Sequence, residues 1–295
     1  MITAVSRSSP LRIDLHTHST ASDGTTTPAD LPGLAAAAAV DVLALTDHDT
    51  TGGWSAAAAA LPNGLTLVRG AEISCRDLDA GGARIGVHLL AYLFDPTEPV
   101  FKAARERLRD GRVTRGRRMV ERLRADGHDV TWARVQEIAA GTVGRPHVAR
   151  ALVEIGLVDS IGAAFAPDWI GVGGRYYAGK DELDLPAAIG MVLAAGGVPV
   201  LAHPRSAQAR RHLSDARIAE LAGDGLRGLE VDHADHPPDV RAHLRAMAAD
   251  LRLVATGSSD FHGANKTQRL GDETTDPAAY EALVAAASGV APVAA

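Results

Sequence analysis

One pattern recurs along this chain: a short apolar run, a histidine or carboxylate at or near its end, then a stretch of helical character. Residues 11–15 lead into His16-Thr17-His18 and, past a polar turn, Asp23. Residues 40–45 end at Asp47-His48-Asp49, and residues 65–68 run on to Glu72. Residues 85–92 carry His88 inside the run, 198–202 end at His203, and 226–231 end at Asp232-His233. The last run, 253–257, reaches Asp260 and His262. Strands alternating with helices predict parallel strands joined by crossover helices, an α/β fold. Such folds place their chemistry at the C-terminal strand ends. Side chains at i and i+2 of a strand share a face, so His16 and His18 can reach one ion. Helices are expected around 56–61, over 189–195, and from Thr27 as N-cap with Pro28 in the first helical position.

The rhythm breaks over 96–185, which reads as an inserted helical subdomain; the alternating parts that make up the main domain are then 11–95 and 186–287. Residues 101–124 hold ten Lys or Arg against three acids. That run is a solvated face or a device for steering a phosphorylated substrate. Helices are also expected over 132–140 and 146–155. The tail, 288–295, reads as frayed, and no internal repeat is present.

With 46% hydrophobic but only 4% aromatic residues, the core must be built from Ala, Val, Leu and Ile. A net charge of −6 and the lack of an aromatic stacking platform oppose a nucleic-acid-coating protein. The single cysteine, Cys75, excludes an internal disulfide and fits a reducing compartment; it reads as packing. Residues 1–10 lack the apolar core of a signal peptide, and no run has the length of a membrane span. The expectation is a cytoplasmic protein with no membrane partner.

Six segments offer ligand types: His16/His18/Asp23, Asp47/His48/Asp49, Glu72, His88, His203 and Asp260/His262. All are imidazole or carboxylate, a set that suits Zn²⁺, Mn²⁺ or Fe²⁺ over Ca²⁺ or a cysteine-rich zinc site. One ion cannot use so many groups, so two or three divalent ions are expected.

The segments DLHTHSTASDG (14–24), LALTDHDT (43–50), GAEIS (70–74), GVHLLAY (86–92), VPVLAHP (198–204) and GSSDFHG (257–263) together resemble the polymerase and histidinol phosphatase (PHP) family of phosphoesterases. The resemblance implies a distorted (β/α)7 barrel with up to three metals at its strand ends. By position, His16, His18, Glu72 and Asp260 resemble the ligands of one ion. Glu72 would bridge to a second, held by His88 and His203. Asp23, His48 and His262 would hold a third; some branches have histidine where this chain has Asp23. Within the insertion, GRPHVAR (144–150) and RYYAGK (175–180) resemble the branch of 3′,5′-nucleoside bisphosphate phosphatases and 5′-to-3′ exoribonucleases, in which the insertion lids the barrel mouth. Arg145 and Lys180 are then the phosphate binders, with Arg205 and His147 as further substrate contacts. Glu230, His233 and His236 stand as supports behind the metal-binding side chains or as substrate contacts.

The reaction implied is hydrolysis of a phosphate monoester. A metal pair bridged by Glu72 would lower the pKa of a shared water and supply hydroxide. His16, His18, Glu72 and Asp260 are the catalytic set, with AMP and inorganic phosphate as products of a nucleoside bisphosphate; short RNA is a second substrate class. Competing readings are a histidinol-phosphate phosphatase and a non-catalytic PHP scaffold module.

Overall fold

A computed structural model describes residues 10–139, 141–206 and 211–295. Residues 1–9, read above as carrying no leader, and Ala140, read as a helix end, lie outside the described residues. The chain opens with β1 (Ile13–Asp14), α1 (Leu31–Ala37), β2 (Val42–Leu45) and α2 (Trp54–Ala59). A long strand, β3 (Thr66–Leu78), and β4 (Arg84–Tyr92) follow. Four helices come next: α3 (Pro99–Ala125), α4 (Trp132–Ala139), α5 (Arg145–Glu154) and α6 (Ile161–Ala164). The alternation then resumes with β5 (Leu183–Asp184), α7 (Leu185–Ala194), β6 (Val198–Leu201) and α8 (Asp215–Gly223). It closes with β7 (Gly228–Asp232), α9 (Pro238–Asp250), β8 (Val254–Gly257), α10 (Pro277–Ala286) and β9 (Val293–Ala294).

Seven strands form one path in the order β1-β2-β3-β4-β6-β7-β8, with β5 and β9 attached to β3. The path nearly closes on itself. Beyond β1 and β8, Thr17 and Phe261 form a parallel bridge, and His18 N donates to Phe261 O at 2.9 Å. The α/β barrel that the family resemblance implies is therefore present.

Its strands are not all parallel. β4 runs antiparallel to both β3 and β6. The cause is local: β3 and β4 are joined by a tight turn, not a helix. The Asp79 side chain accepts from Gly81 N and Ala83 N, and Gly82 takes φ +76°. A turn this short can connect only antiparallel neighbours. Two other expectations change. The regular part of α1 begins at Leu31, because Pro32 has no N–H to extend the ladder back to Pro28; Thr27 Oγ1 still caps the preceding turn by accepting from Asp30 N. The tail is not frayed: Val293–Ala294 pair with Leu67 and Thr66, and Val290 N donates to Leu93 O.

Alternate strand residues separate two apolar layers. Leu43, Leu45, Leu67, Leu89 and Leu201 pack outward against the helices. Ile13, Val42, Val68, Leu90, Tyr92 and Val200 fill the barrel interior. The period of two that turns Val68 and Leu90 inward also turns Glu72 and His88 inward, nearer the rim. The helical segment has an apolar cluster of its own, including Met119, Leu123, Val135, Val148, Leu152 and Ile170. Among the described residues no helix is long and apolar enough to cross a membrane.

Candidate metal centre

Glu72 is the hub of the rim. It is buried, and five imidazoles surround its two oxygens. Oε2 lies 3.2 Å from His16 Nε2, 3.1 Å from His18 Nε2 and 3.1 Å from His48 Nδ1. Oε1 lies 2.6 Å from His88 Nδ1 and 3.0 Å from His203 Nε2. Asp260 faces the same pair of histidines from the other side, its Oδ1 3.5 Å from both His16 Nε2 and His18 Nε2. Asp23 returns from the first loop to sit 3.5 Å from His262 Nε2 and 3.7 Å from His48 Nε2 and His18 Nδ1. Three overlapping sets have ligand atoms close enough to share an ion: His18/Asp23/His48/His262, His16/His18/Glu72 and His48/Glu72/His88. All nine residues singled out in the sequence for metal binding thus converge. His18 and His48 each present one ring nitrogen to Glu72 and the other to Asp23.

These distances describe acceptors and imidazoles competing for too few protons. Burial would raise the Glu72 carboxyl, but His88, His48 and His16 outweigh it and hold it well below the usual range. Burial pushes His18 down, and His262 beside it adds to the effect, to about 4. His48 Nδ1 is buried without a hydrogen bond, although Glu72 is near. An orphaned ring nitrogen facing a carboxylate is what a divalent cation would satisfy, by replacing protons as the common partner. The donor set fits such an ion.

The surroundings hold these side chains in place. Glu230, fully buried, takes His16 Nδ1 at 3.0 Å, accepts from His203 N at 2.7 Å and from Ser258 Oγ. A carboxylate behind a histidine fixes its tautomer and ring orientation. His233 Nε2 lies 3.3 Å from Asp260 Oδ2, and His236 Nδ1 lies 2.9 Å from Val231 O. Asp14 accepts from Ser259 N at 3.0 Å and Gly271 N at 2.9 Å, tying the first strand to the last. Asp47 and Asp49, offered above as ligands, are used otherwise. Asp47 accepts from Ser19 and Ser22 and shapes the first loop; Asp49 pairs with Arg112. Asp49, His203 and Asp260 have φ of +57°, +28° and +51°, strained values that cluster at this rim.

Among characterised proteins, the chain is 35% identical to a 3′,5′-nucleoside bisphosphate phosphatase of Chromobacterium violaceum over 272 residues, 90% of this chain and 92% of that one. It is 34% identical to a 5′-3′ exoribonuclease of Haemophilus influenzae, covering 85% of this chain and 90% of the relative. A solved structure from Bifidobacterium adolescentis, described as a metal-dependent phosphoesterase, superposes with a TM-score of 0.87 at 36% identity over 95% of this chain and 98% of its own. No family model matches the chain. Identity at this level over nearly the whole length decides the matter. The chain belongs to the PHP family.

It is accordingly a metal-dependent phosphoesterase, a hydrolase of phosphoric ester bonds. Within this PHP chain the helical segment reaches the rim. Thr142 N donates to Ala21 O at 3.0 Å, and Arg150 Nη2 to Asn265 Oδ1 at 3.0 Å. Lys180 Nζ donates to Ser74 Oγ, two residues from Glu72. Burial, with Arg112 adding to it, pulls Lys180 down to about 7. Arg145 stacks its guanidinium over Phe165 at 5.0 Å. His147 accepts from Gly144 N through Nδ1 and so caps its own helix. Arg205 is turned to Asp215, at 2.6 Å.

Sequence reasoning missed two groups. Lys266 Nζ donates to Asp260 Oδ2, and nothing in its loop sequence announces that contact. The second is the buried part of the basic run. Arg105, Arg112 and Arg115 are buried, so a wholly solvated face is not what α3 presents. Arg105 lies over the rings of Phe94 and Phe101; Arg112 Nε meets Asp49 Oδ2 at 2.5 Å and its Nη2 donates to Ser74 Oγ at 2.8 Å. A signal existed: 105, 112 and 115 fall on the same helical stripe as Phe101, Leu108, Met119 and Leu123.

Proposed function

We propose that the chain removes one phosphate from a nucleotide carrying two, a 3′,5′-nucleoside bisphosphate, or acts on short 5′-phosphorylated RNA at the same centre. The observation that carries this reading is the meeting of two chemistries at one rim. Glu72 is encircled by imidazoles, and cations from the helical segment stand beside it. The names of the Chromobacterium and Haemophilus relatives support it. The ions would be two or three of Mn²⁺, Zn²⁺ or Fe²⁺, held by His16, His18, Asp23, His48, Glu72, His88, His203, Asp260 and His262. When bound, they supply a water acidified into the neutral range and positive charge for the phosphoryl oxygens. The chain's own groups do the rest. Glu72 holds the two halves of the ligand set in register, and Glu230 fixes the ring of His16. Arg145 and Lys180 bind the phosphate that does not react, so that remote binding energy orients the one that does. Segment 96–185 acts as a lid subdomain over a barrel built from 11–95 and 186–287, and the work is done in the cytoplasm.

The test is a comparison of kcat/KM for adenosine 3′,5′-bisphosphate and for adenosine monophosphates, in the unmodified enzyme and in Arg145→Ala. The bisphosphate should be preferred, and the substitution should cost more with it than with either monophosphate. Equal losses would place Arg145 on the reacting phosphate or in a structural role. Preference for histidinol phosphate in the unmodified enzyme would replace the nucleotide reading with that one.

A further inference from the structure

The short turn after His262, Gly263–Asn265, touches three segments through one side chain. Asn265 Nδ2 donates to the backbone carbonyl of Asp23 at 2.8 Å. Its Oδ1 accepts from Arg150 Nη2, on α5 of the insertion, at 3.0 Å. A carbonyl only accepts and a guanidinium only donates, so these partners fix which way the amide points. Neither aspartate nor alanine could serve both. His262 stands three residues earlier in the chain. One amide therefore ties α5 to the two loops that bring Asp23 and His262 to within 3.5 Å of each other.

The insertion also presses on the Asp23 loop directly. A Cβ added at Gly144 would stand 3.2 Å from Asp23 Cβ and 3.3 Å from its Oδ2. One added at Gly141 would lie 2.5 Å from Thr20 O and 2.9 Å from Ala21 O, closer than real contacts allow. Thr142 N donates to Ala21 O between them. The insertion meets this loop at glycines because only a residue without a side chain permits so close an approach. Asp23 is buried, and with His18, His48 and His262 it makes one of the sets that could share an ion. The other side of the centre is anchored differently: Glu230, on β7, supports His16 and His203 from within the barrel.

We infer that Asn265 is a positioning residue that couples the seating of α5 to the ion held at Asp23 and His262. Such coupling is reciprocal: if α5 holds Asp23 in place for an ion, an ion on Asp23 holds α5. The inference deepens the metal-binding part of the reading above and rests on it, but on no particular substrate.

The test is calorimetric titration of the metal-free full chain with Mn²⁺ alone. Asp23→Ala identifies the binding step that depends on Asp23. Asn265→Ala and Asn265→Asp should each weaken that step roughly 3- to 10-fold, the size of one neutral hydrogen bond, and leave the remaining steps in place. Asn265→Asp keeps an acceptor for Arg150, so its metal-free Tm should match that of the unmodified protein. Arg150→Met should weaken the same step, and adding it to Asn265→Ala should cost little more, because the two residues act as one chain. In hydrogen–deuterium exchange, Mn²⁺ should slow the amides of 147–150 in the unmodified protein and no longer do so in Asn265→Ala; a merely structural asparagine would leave that protection intact. An Asp23-dependent step of unchanged affinity overturns the inference. So does equal weakening of every step with a lowered metal-free Tm in both Asn265 variants, or undiminished Mn²⁺ protection of 147–150 in Asn265→Ala. If Asp23→Ala removes no step, the assignment of Asp23 to an ion fails and the inference with it. A substrate other than a bisphosphate would leave all of these results standing.

Discussion

Glu72 carries the greatest consequence of any single residue. Five imidazoles take their places from its two oxygens, so Glu72→Gln removes an anion while keeping the shape. Turnover of any phosphate ester should fall below detection, while circular dichroism and Tm show a folded protein; near-normal activity in a folded, metal-loaded variant would sink the bridging role. Lys180 makes a prediction about pH. Its ammonium is lowered to about 7 by burial and Arg112, so it is charged below that value and neutral above it. The preference for a bisphosphate over a monophosphate, measured as a ratio of kcat/KM, should decline as pH rises through neutrality and should stay flatter in Lys180→Arg. The histidines and carboxylates that meet at the rim were legible in the sequence because strand-end chemistry needs those residue types at those points. Arg112, Arg115 and Lys266 were not, because a cation's partner lies in another segment and its own neighbours say only that the surface is charged.

Among the elements, α3 is where local and tertiary forces part company. Its composition is that of a solvated helix, yet Arg112 crosses into the barrel and meets Asp49, which in turn accepts from Ser74 N at 2.7 Å. Removing one partner of such a pair leaves the other charge buried, so Arg112→Ala should lower unfolding free energy by roughly 3–5 kcal/mol in urea titration. Burial would raise the Asp49 carboxyl, but Arg112 and Lys180 outweigh it and lower it from 3.8. Its stabilising contribution is therefore complete above that ordinary value and lost as pH falls through the lowered one. A pH scan of unmodified protein should show this acid-side loss, and Arg112→Ala should flatten it. The β3–β4 hairpin had its own signal, Gly81-Gly82 after Asp79, which is turn chemistry. It was overridden because the surrounding alternation speaks for parallel strands.

At the scale of the whole molecule, the tail shows how weak local propensity is as evidence of disorder. Residues 288–295 have no strong pattern, but the free edge of β3 receives Val293–Ala294. Truncation after Ala287 should lower Tm by several degrees while leaving relative substrate preference unchanged, since the lost contacts lie on Thr66, Leu67, Arg69, Leu93 and Gly196, at the strand ends opposite the rim. The α/β class was legible because the alternation runs through 11–95 and resumes after 185, and the barrel through the resemblance of the strand-end motifs to the PHP family; its near-closure was not legible from the alternation, since it depends on two chain-distant loops, Thr17 and Phe261, meeting beyond the strand ends. That meeting has a consequence for biogenesis. Asp14 is hydrogen-bonded to Ser259 across 245 positions of sequence, and His16 and His18 face Asp260 across the same seam. A nascent chain emerging from the ribosome therefore holds His16 and His18 without the facing carboxylate until synthesis has passed Asp260. Metal acquisition becomes a late event that follows folding, and a fragment ending at Asp250 should fail to take up the divalent ion with the affinity of the complete chain.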